Sequence, residues 1–180
     1  MNPTEQVKIL LVDDDDAKLM AVKSMLADFD RNLVVANSGG EALRALLSQD
    51  FALILMDVNM PVMDGFETAA LIRQRDKSAS VPIIFITAAD KSDTHAARGY
   101  SLGAVDYIYT PIVPEILRAK VAVFVELRVQ ADSLRAAAEE RAAMAETLSR
   151  SNRDLEEANQ KLKETQVHLI HTEKMASLGQ

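Results

Sequence analysis

The 180-residue chain has no cysteine, so it carries no disulfide framework and no thiol chemistry. It has no apolar run that approaches membrane-spanning length, and its start lacks the charged and apolar regions of an export signal. The expectation is a soluble, cytoplasmic protein without a membrane partner. Twenty basic residues against 27 acidic leave a net charge of −7, with no basic stripe or aromatic platform. That balance argues against nucleic-acid binding through phosphate contacts. No Gly-rich ATP-binding pattern occurs, so these residues do not make a kinase by themselves. Glycine and proline are absent between Pro114 and Gly179, and no internal repeat is evident beyond heptads in that stretch.

What the chain does have is a carboxylate where an open sheet places its chemistry. The apolar run Phe51-Ala-Leu-Ile-Leu-Met56 ends at Asp57, and Val58-Asn-Met-Pro-Val-Met-Asp-Gly65 follows as a loop bearing Pro and Gly. The exit of a buried strand onto such a loop is the usual site position in α/β folds. Upstream, Val7-Lys-Ile-Leu-Leu-Val12 empties into Asp13-Asp14-Asp15-Asp16. Two strands that deliver carboxylates to one sheet edge make an acidic pocket. Like charges about 4 Å apart repel by roughly 4 kcal/mol at an effective dielectric near 20. A divalent ion removes that penalty, and all-oxygen ligands favour Mg2+ or a similar hard cation.

Apolar strand-like runs alternate with amphipathic stretches, the pattern of a parallel sheet with helices on both faces. Helices are expected at about 17–28, 39–48, 65–76 and 92–101, with one more beginning near Val113. Ser38-Gly39-Gly40-Glu41 and Asp64-Gly65 read as helix starts. Val81-Pro-Ile-Ile-Phe-Ile-Thr87 reads as a fourth strand, with Ala88 and Ala89 leaving room beside its terminal hydroxyl. Gly103-Ala-Val-Asp-Tyr-Ile-Tyr109 reads as a fifth.

Taken together, Leu-Leu-Val-Asp-Asp-Asp, Leu-Met-Asp-Val-Asn-Met-Pro-Val-Met-Asp-Gly, Ile-Thr-Ala and Asp-Tyr-Ile-Tyr-Thr-Pro resemble the receiver domain of two-component signalling, over roughly residues 5 to 127. The resemblance implies a flavodoxin-like doubly wound sheet of five parallel strands in the order 2-1-3-4-5, which sets the first and third strands side by side. It implies that Asp57 accepts a phosphoryl group, and that Mg2+ is held by Asp14, Asp57 and the backbone carbonyl of Asn59, with Asp13 reaching it through water. The run of four aspartates leaves that register open by one. Strand geometry favours Asp13 and Asp14, while Asp15 and Asp16 suit a helix N-terminus. Thr87 matches the hydroxyl residue that bonds the phosphoryl oxygen and moves inward. Tyr107 matches the aromatic residue that swings with it, although an ordinary half-buried tyrosine on an edge strand fits as well. Thr110-Pro111 matches a bond often cis in the family.

One position departs from the family. Receivers carry a lysine just before that proline, and here Thr110 stands there. Threonine offers one hydrogen bond, no charge and a shorter reach. Three readings follow: phosphorylation with weaker switching, a degenerate receiver kept as a phosphorylation-independent dimerisation and interaction module, or a lysine from elsewhere, such as Lys91. The presence of Asp13, Asp14, Asp57 and Thr87 favours the first.

Residues 115–178 read as one helix about 96 Å long at 1.5 Å per residue. Leucines recur every seventh residue at 127, 134, 148, 155, 162 and 169, with Arg141 the single break. Setting these at heptad position d puts Phe124, Ala131, Ala138, Ala145, Asn152, Asn159 and Gln166 at a, the pattern of a parallel two-stranded coiled coil and hence a homodimer. Glu173-Lys-Met-Ala-Ser-Leu-Gly-Gln180 resembles the beginning of the dimerisation helix of sensor histidine kinases. The expected organisation is a receiver at 1–127, a coiled-coil signalling helix at 128–172 and the truncated start of that helix at 173–180. His168 and His171 do not sit at that family's phosphorylatable position. The implied partners are an upstream histidine kinase or phosphotransfer protein and a kinase core in cis beyond Gln180. Other outputs, such as a nucleotide cyclase, remain open, and a haloacid-dehalogenase-type enzyme would want an aspartate where Asn59 stands.

Overall fold

The computed structural model describes residues 7–88 and 106–178. Five strands, β1 (Ile9–Val12), β2 (Leu33–Ala36), β3 (Leu53–Asp57), β4 (Ile83–Ala88) and β5 (Asp106–Thr110), form one sheet in the order β2-β1-β3-β4-β5. All four neighbouring pairs are parallel. The helices are α1 (Asp16–Met25), α2 (Gly39–Ser48), α3 (Gly65–Arg73) and α4 (Pro114–Leu178).

Strand alternation divides the interior in two. Leu10, Val12, Ile54, Met56, Ile83 and Phe85 face one side, where α2 and α3 supply Ala42, Leu46, Phe66 and Ile72. Ile9, Leu11, Leu53, Leu55, Ile84 and Ile86 face the other, covered by Leu19 and Val22 of α1 and by Leu117, Val121 and Val125 of α4. Burial on both faces explains why the strands read as continuous apolar runs rather than alternating ones. The last three covering residues fall at i, i+4 and i+8, one face of a helix.

Local chemistry sets the helix starts. The Ser38 hydroxyl accepts from the Glu41 N–H at 3.2 Å, and Asp64 and Glu67 form a reciprocal capping box. Some boundaries differ from expectation. The first helix begins at Asp16 and ends at Met25, because Leu26 caps it and Ala27–Asn32 tightens into a 3-10 segment. The third helix ends at Arg73 rather than 76. The first strand proper begins at Ile9, two residues later than expected. The expected helix at 92–101, Ala89, Lys91 and residues 103–105 of the last strand lie outside the described residues.

The chain divides into two compact units, one ending at Ala131 and the other starting at Asp132. In the second unit the helix exposes Leu134, Leu148, Leu155, Leu162 and Leu169. No helix among the described residues is long and apolar enough to cross a membrane.

Candidate functional site

β1 and β3 end together. Their register pairs Val12 with Met56, so the next residue on each, Asp13 and Asp57, leaves the same sheet edge side by side. Both share the parity of the residues facing α1. Asp13 and Asp57 are buried, at 7% and 4% exposure, whereas Asp14 is exposed. Carboxylate oxygens of Asp13, Asp14 and Asp57 lie within 4.8 Å of one another. Three hard oxygen donors at that spacing fit a cation of the Mg2+ class.

The four aspartates separate by task. Asp15 caps α1, its side chain accepting from the Ala17 and Lys18 N–H groups at 2.8 and 3.4 Å. Asp16, in the first turn, accepts from the Asn37 side-chain amide at 2.6 Å. Asp13 accepts the Asp15 N–H at 2.9 Å, which ties the helix start to the acidic cluster. Burial is the main reason the Asp13 carboxyl is pushed above its ordinary pKa; the Asp15 N–H opposes the shift and the charge of Asp57 adds to it.

The loop after β3 folds back tightly. Asn59 sits exposed at its start, two residues after Asp57. The Gly65 N–H donates to the Val58 carbonyl at 2.9 Å. A Cβ on Gly65 would lie 2.3 Å from the Asp57 carbonyl oxygen, so only glycine permits this approach. Val62, fully exposed, holds a φ of 69°, a left-handed conformation that β-branched residues rarely adopt.

A cation is present that the sequence did not point to. The Lys18 ammonium lies 3.1 Å from Asp57 Oδ2 and 3.6 Å from Asp13 Oδ1. Partial burial lowers its pKa. The Asp57 hydrogen bond and the charges of Asp57, Asp13 and Asp14 outweigh that and hold the group protonated above its ordinary value. The available signal was positional: Lys18 lies three residues past a helix cap, on the helix that covers the face toward which Asp13 and Asp57 turn.

The other expected residues lie further along the sheet edge. The half-buried Thr87 turns its hydroxyl to the Ala88 carbonyl at 3.2 Å. Tyr107 is buried rather than half-buried, its ring 5.5 Å from Phe85 and nearly parallel to Tyr109. The Thr110-Pro111 bond is cis. The Thr110 hydroxyl donates to the Thr87 carbonyl at 3.4 Å. Its strand is two removed from that of Asp57, roughly 10 Å across the sheet, a gap that a threonine side chain does not span.

The Response regulator receiver domain family profile matches residues 9–122. A probable cyclic di-GMP phosphodiesterase of Vibrio cholerae is 31% identical over 134 residues, covering 74% of this chain and 30% of that protein. Among solved structures, the chemotaxis protein CheY4 of Vibrio cholerae matches with a TM-score of 0.61 at 30% identity, over 66% of this chain and 98% of that one. The receiver domain of the sensor histidine kinase PA1611 of Pseudomonas aeruginosa, crystallised with a magnesium ion in its active site cleft, matches with a TM-score of 0.60 at 27% identity, over 67% and 98%. The chain spans about half or less of the length of the curated relatives it matches first. With this fold and this acidic edge, the chain belongs to the response regulator receiver family.

Proposed function

We propose that the chain is the phosphoryl-accepting module of a two-component phosphorelay, with Asp57 as acceptor. The observation that carries this is the buried Asp57 at the end of β3, with Asp13 and Asp14 carboxylates within 4.8 Å. In the reaction a carboxylate oxygen of Asp57 bonds to phosphorus as the bond from phosphorus to the donor breaks, and the leaving group takes that electron pair. Asp14, Asp57 and the Asn59 carbonyl would hold Mg2+, with Asp13 orienting its water, and the ion would neutralise the phosphoryl oxygens. Thr87 would bond a phosphoryl oxygen, and Tyr107 would follow its movement.

In this reading, α4 passes the state onward as a parallel dimeric coiled coil toward a histidine kinase core beyond Gln180. The exposed leucines at heptad spacing and the kinase-like residues Glu173–Gln180 support it. Movement at Thr87 and Tyr107 would repack the face formed with α4. Continuity of the helix makes such coupling physically available. If so, phosphorylation changes dimer affinity or the attached kinase's activity; no change in either would exclude the coupling.

Intact mass after incubation with acetyl phosphate and Mg2+, alongside Asp57→Asn, tests the acceptor. One phosphoryl adduct on wild type, absent from the variant, is the expected result. No adduct on a folded, Mg2+-binding protein would favour the second reading, a phosphorylation-independent dimerisation and interaction module. The observation behind that alternative is Thr110, whose hydroxyl is engaged by Thr87.

A further inference from the structure

We infer that Lys18 is the catalytic cation of this site, supplying from α1 the positive charge that position 110 does not provide. This deepens the phosphoacceptor reading and rests on it.

The geometry is specific. Lys18 Nζ contacts Asp57 Oδ2 at 3.1 Å, the carboxylate that would attack phosphorus. It lies 3.6 Å from Asp13 Oδ1, so it bridges the two buried acids. Its side chain is 48% exposed while that of Asp57 is 5% exposed. The ammonium therefore stands at the solvent side of a buried carboxylate, where an incoming phosphoryl group must arrive. An ammonium has three donors, and the Asp57 bond uses one, leaving capacity for a phosphoryl oxygen.

Helix capping fixes the placement. Asp15 accepts the backbone N–H of Lys18, and Asp13 accepts that of Asp15, so the lysine backbone is held to the same edge as the acids. Thr110, two strands away and engaged with the Thr87 carbonyl, offers no charge from the other side. During transfer, an Asp57 oxygen bonds to phosphorus while the bond from phosphorus to the acyl oxygen of acetyl phosphate breaks, and acetate leaves with the electron pair. Lys18 keeps its proton throughout and shifts its hydrogen bonding from the carboxylate toward the phosphoryl oxygens, stabilising charge where it develops.

The test uses the whole chain as wild type, Lys18→Met, Thr110→Lys and the double variant. Folding of the receiver is checked by the fluorescence of buried Tyr107, and Lys18, being half exposed, is replaceable without loss of core. Two quantities are read: the initial rate of adduct formation with acetyl phosphate at saturating Mg2+, and the Mg2+ dissociation constant by calorimetry without phosphodonor. Removing one charge-stabilising donor is expected to slow Lys18→Met by about 10²-fold. Thr110→Lys in that background is expected to recover at least about tenfold, since a lysine there regains the reach. Mg2+ should bind Lys18→Met somewhat more tightly, because a competing cation has gone.

A Lys18→Met rate equal to or above wild type would overturn the inference and make the lysine a mere occupant of the cation site. Weaker Mg2+ binding in Lys18→Met would also overturn it, since the lysine would then serve to order the carboxylates. Absence of any adduct on wild type and Thr110→Lys alike would sink the phosphoacceptor reading itself, and this inference with it.

Discussion

Replacing Gly65 by alanine probes how tightly the loop after β3 is held against the site. The added Cβ would stand 2.3 Å from the Asp57 carbonyl oxygen and 3.0 Å from Val58 Cα. Both are backbone atoms of a buried strand end, so no flexible side chain can yield. Relief requires a shift on the order of 1 Å in the α3 start or in Asp57, and forced repacking of this kind costs about 1–3 kcal/mol. Gly40→Ala is the matched control: it also sits in a first helical turn, and its Cβ meets nothing within 4 Å. There alanine is expected to stabilise by about 0.4–1 kcal/mol through lost freedom of the unfolded chain. The two variants should therefore differ by roughly 3 kcal/mol, which separates their urea midpoints by about 1.5 M at an m-value near 2 kcal/mol/M. Far-UV ellipticity is dominated by the 65-residue α4, so tyrosine fluorescence, reporting buried Tyr107, is the better probe. The same shift displaces Asp57, so Gly65→Ala should also slow adduct formation while Gly40→Ala does not. Coincident urea midpoints for the two variants would refute the close approach.

Val62→Asn relieves a left-handed φ of 69° at a fully exposed side chain, so it should stabilise by about 1 kcal/mol, read from the urea midpoint. Asp13→Asn keeps an acceptor for the Asp15 N–H but removes a charge that burial disfavours. Because the folded pKa of Asp13 is raised, its ionisation opposes folding as pH rises through that value. The variant should thus be more stable than wild type in EDTA at neutral pH, with the gain vanishing below pH 3.8, and calorimetry should show weaker Mg2+ binding. Leu117→Ala, at a fully buried position, should cost about 2–5 kcal/mol. Leu148→Ala, at an exposed one, should leave receiver unfolding unchanged and weaken dimerisation measured by analytical ultracentrifugation.

The central strands β1, β3 and β4 are legible in the sequence because they are buried on both faces and read as unbroken apolar runs, while the strand order follows from the family resemblance. Asp57 is legible for the same reason, since packing alone would not place a charge at the end of such a run. The second strand is harder to place, because at the sheet edge Leu33 and Val34 are only partly covered and Val35 is exposed. Helix ends escape periodicity where a 3-10 turn after Leu26 takes over from the α-helix, a choice set by local hydrogen bonding. Lys18 escapes it too, because its significance depends on Asp13 and Asp57, the second of them 39 positions away, and only the fold brings both to it.

The family profile ends at residue 122, yet Val125 is buried and Val129 packs against the core on the α1 side. The first turns of α4 are thus structural property of the receiver, while the same unbroken helix continues through Leu178. A recombination event that exchanged the output while ending the receiver at the profile boundary would remove Phe124, Val125 and Val129 from the cover of that face of the sheet. Junctions past Ala131 escape that damage but inherit a different constraint. An insertion of seven residues there turns the downstream faces by only about 20°, whereas one of two turns them by about 160°, at 3.6 residues per turn. If α4 signals as the proposed coiled coil, viable gene fusions at this helix should therefore favour lengths that differ by whole heptads, a quantised spacing that a flexible linker would not impose.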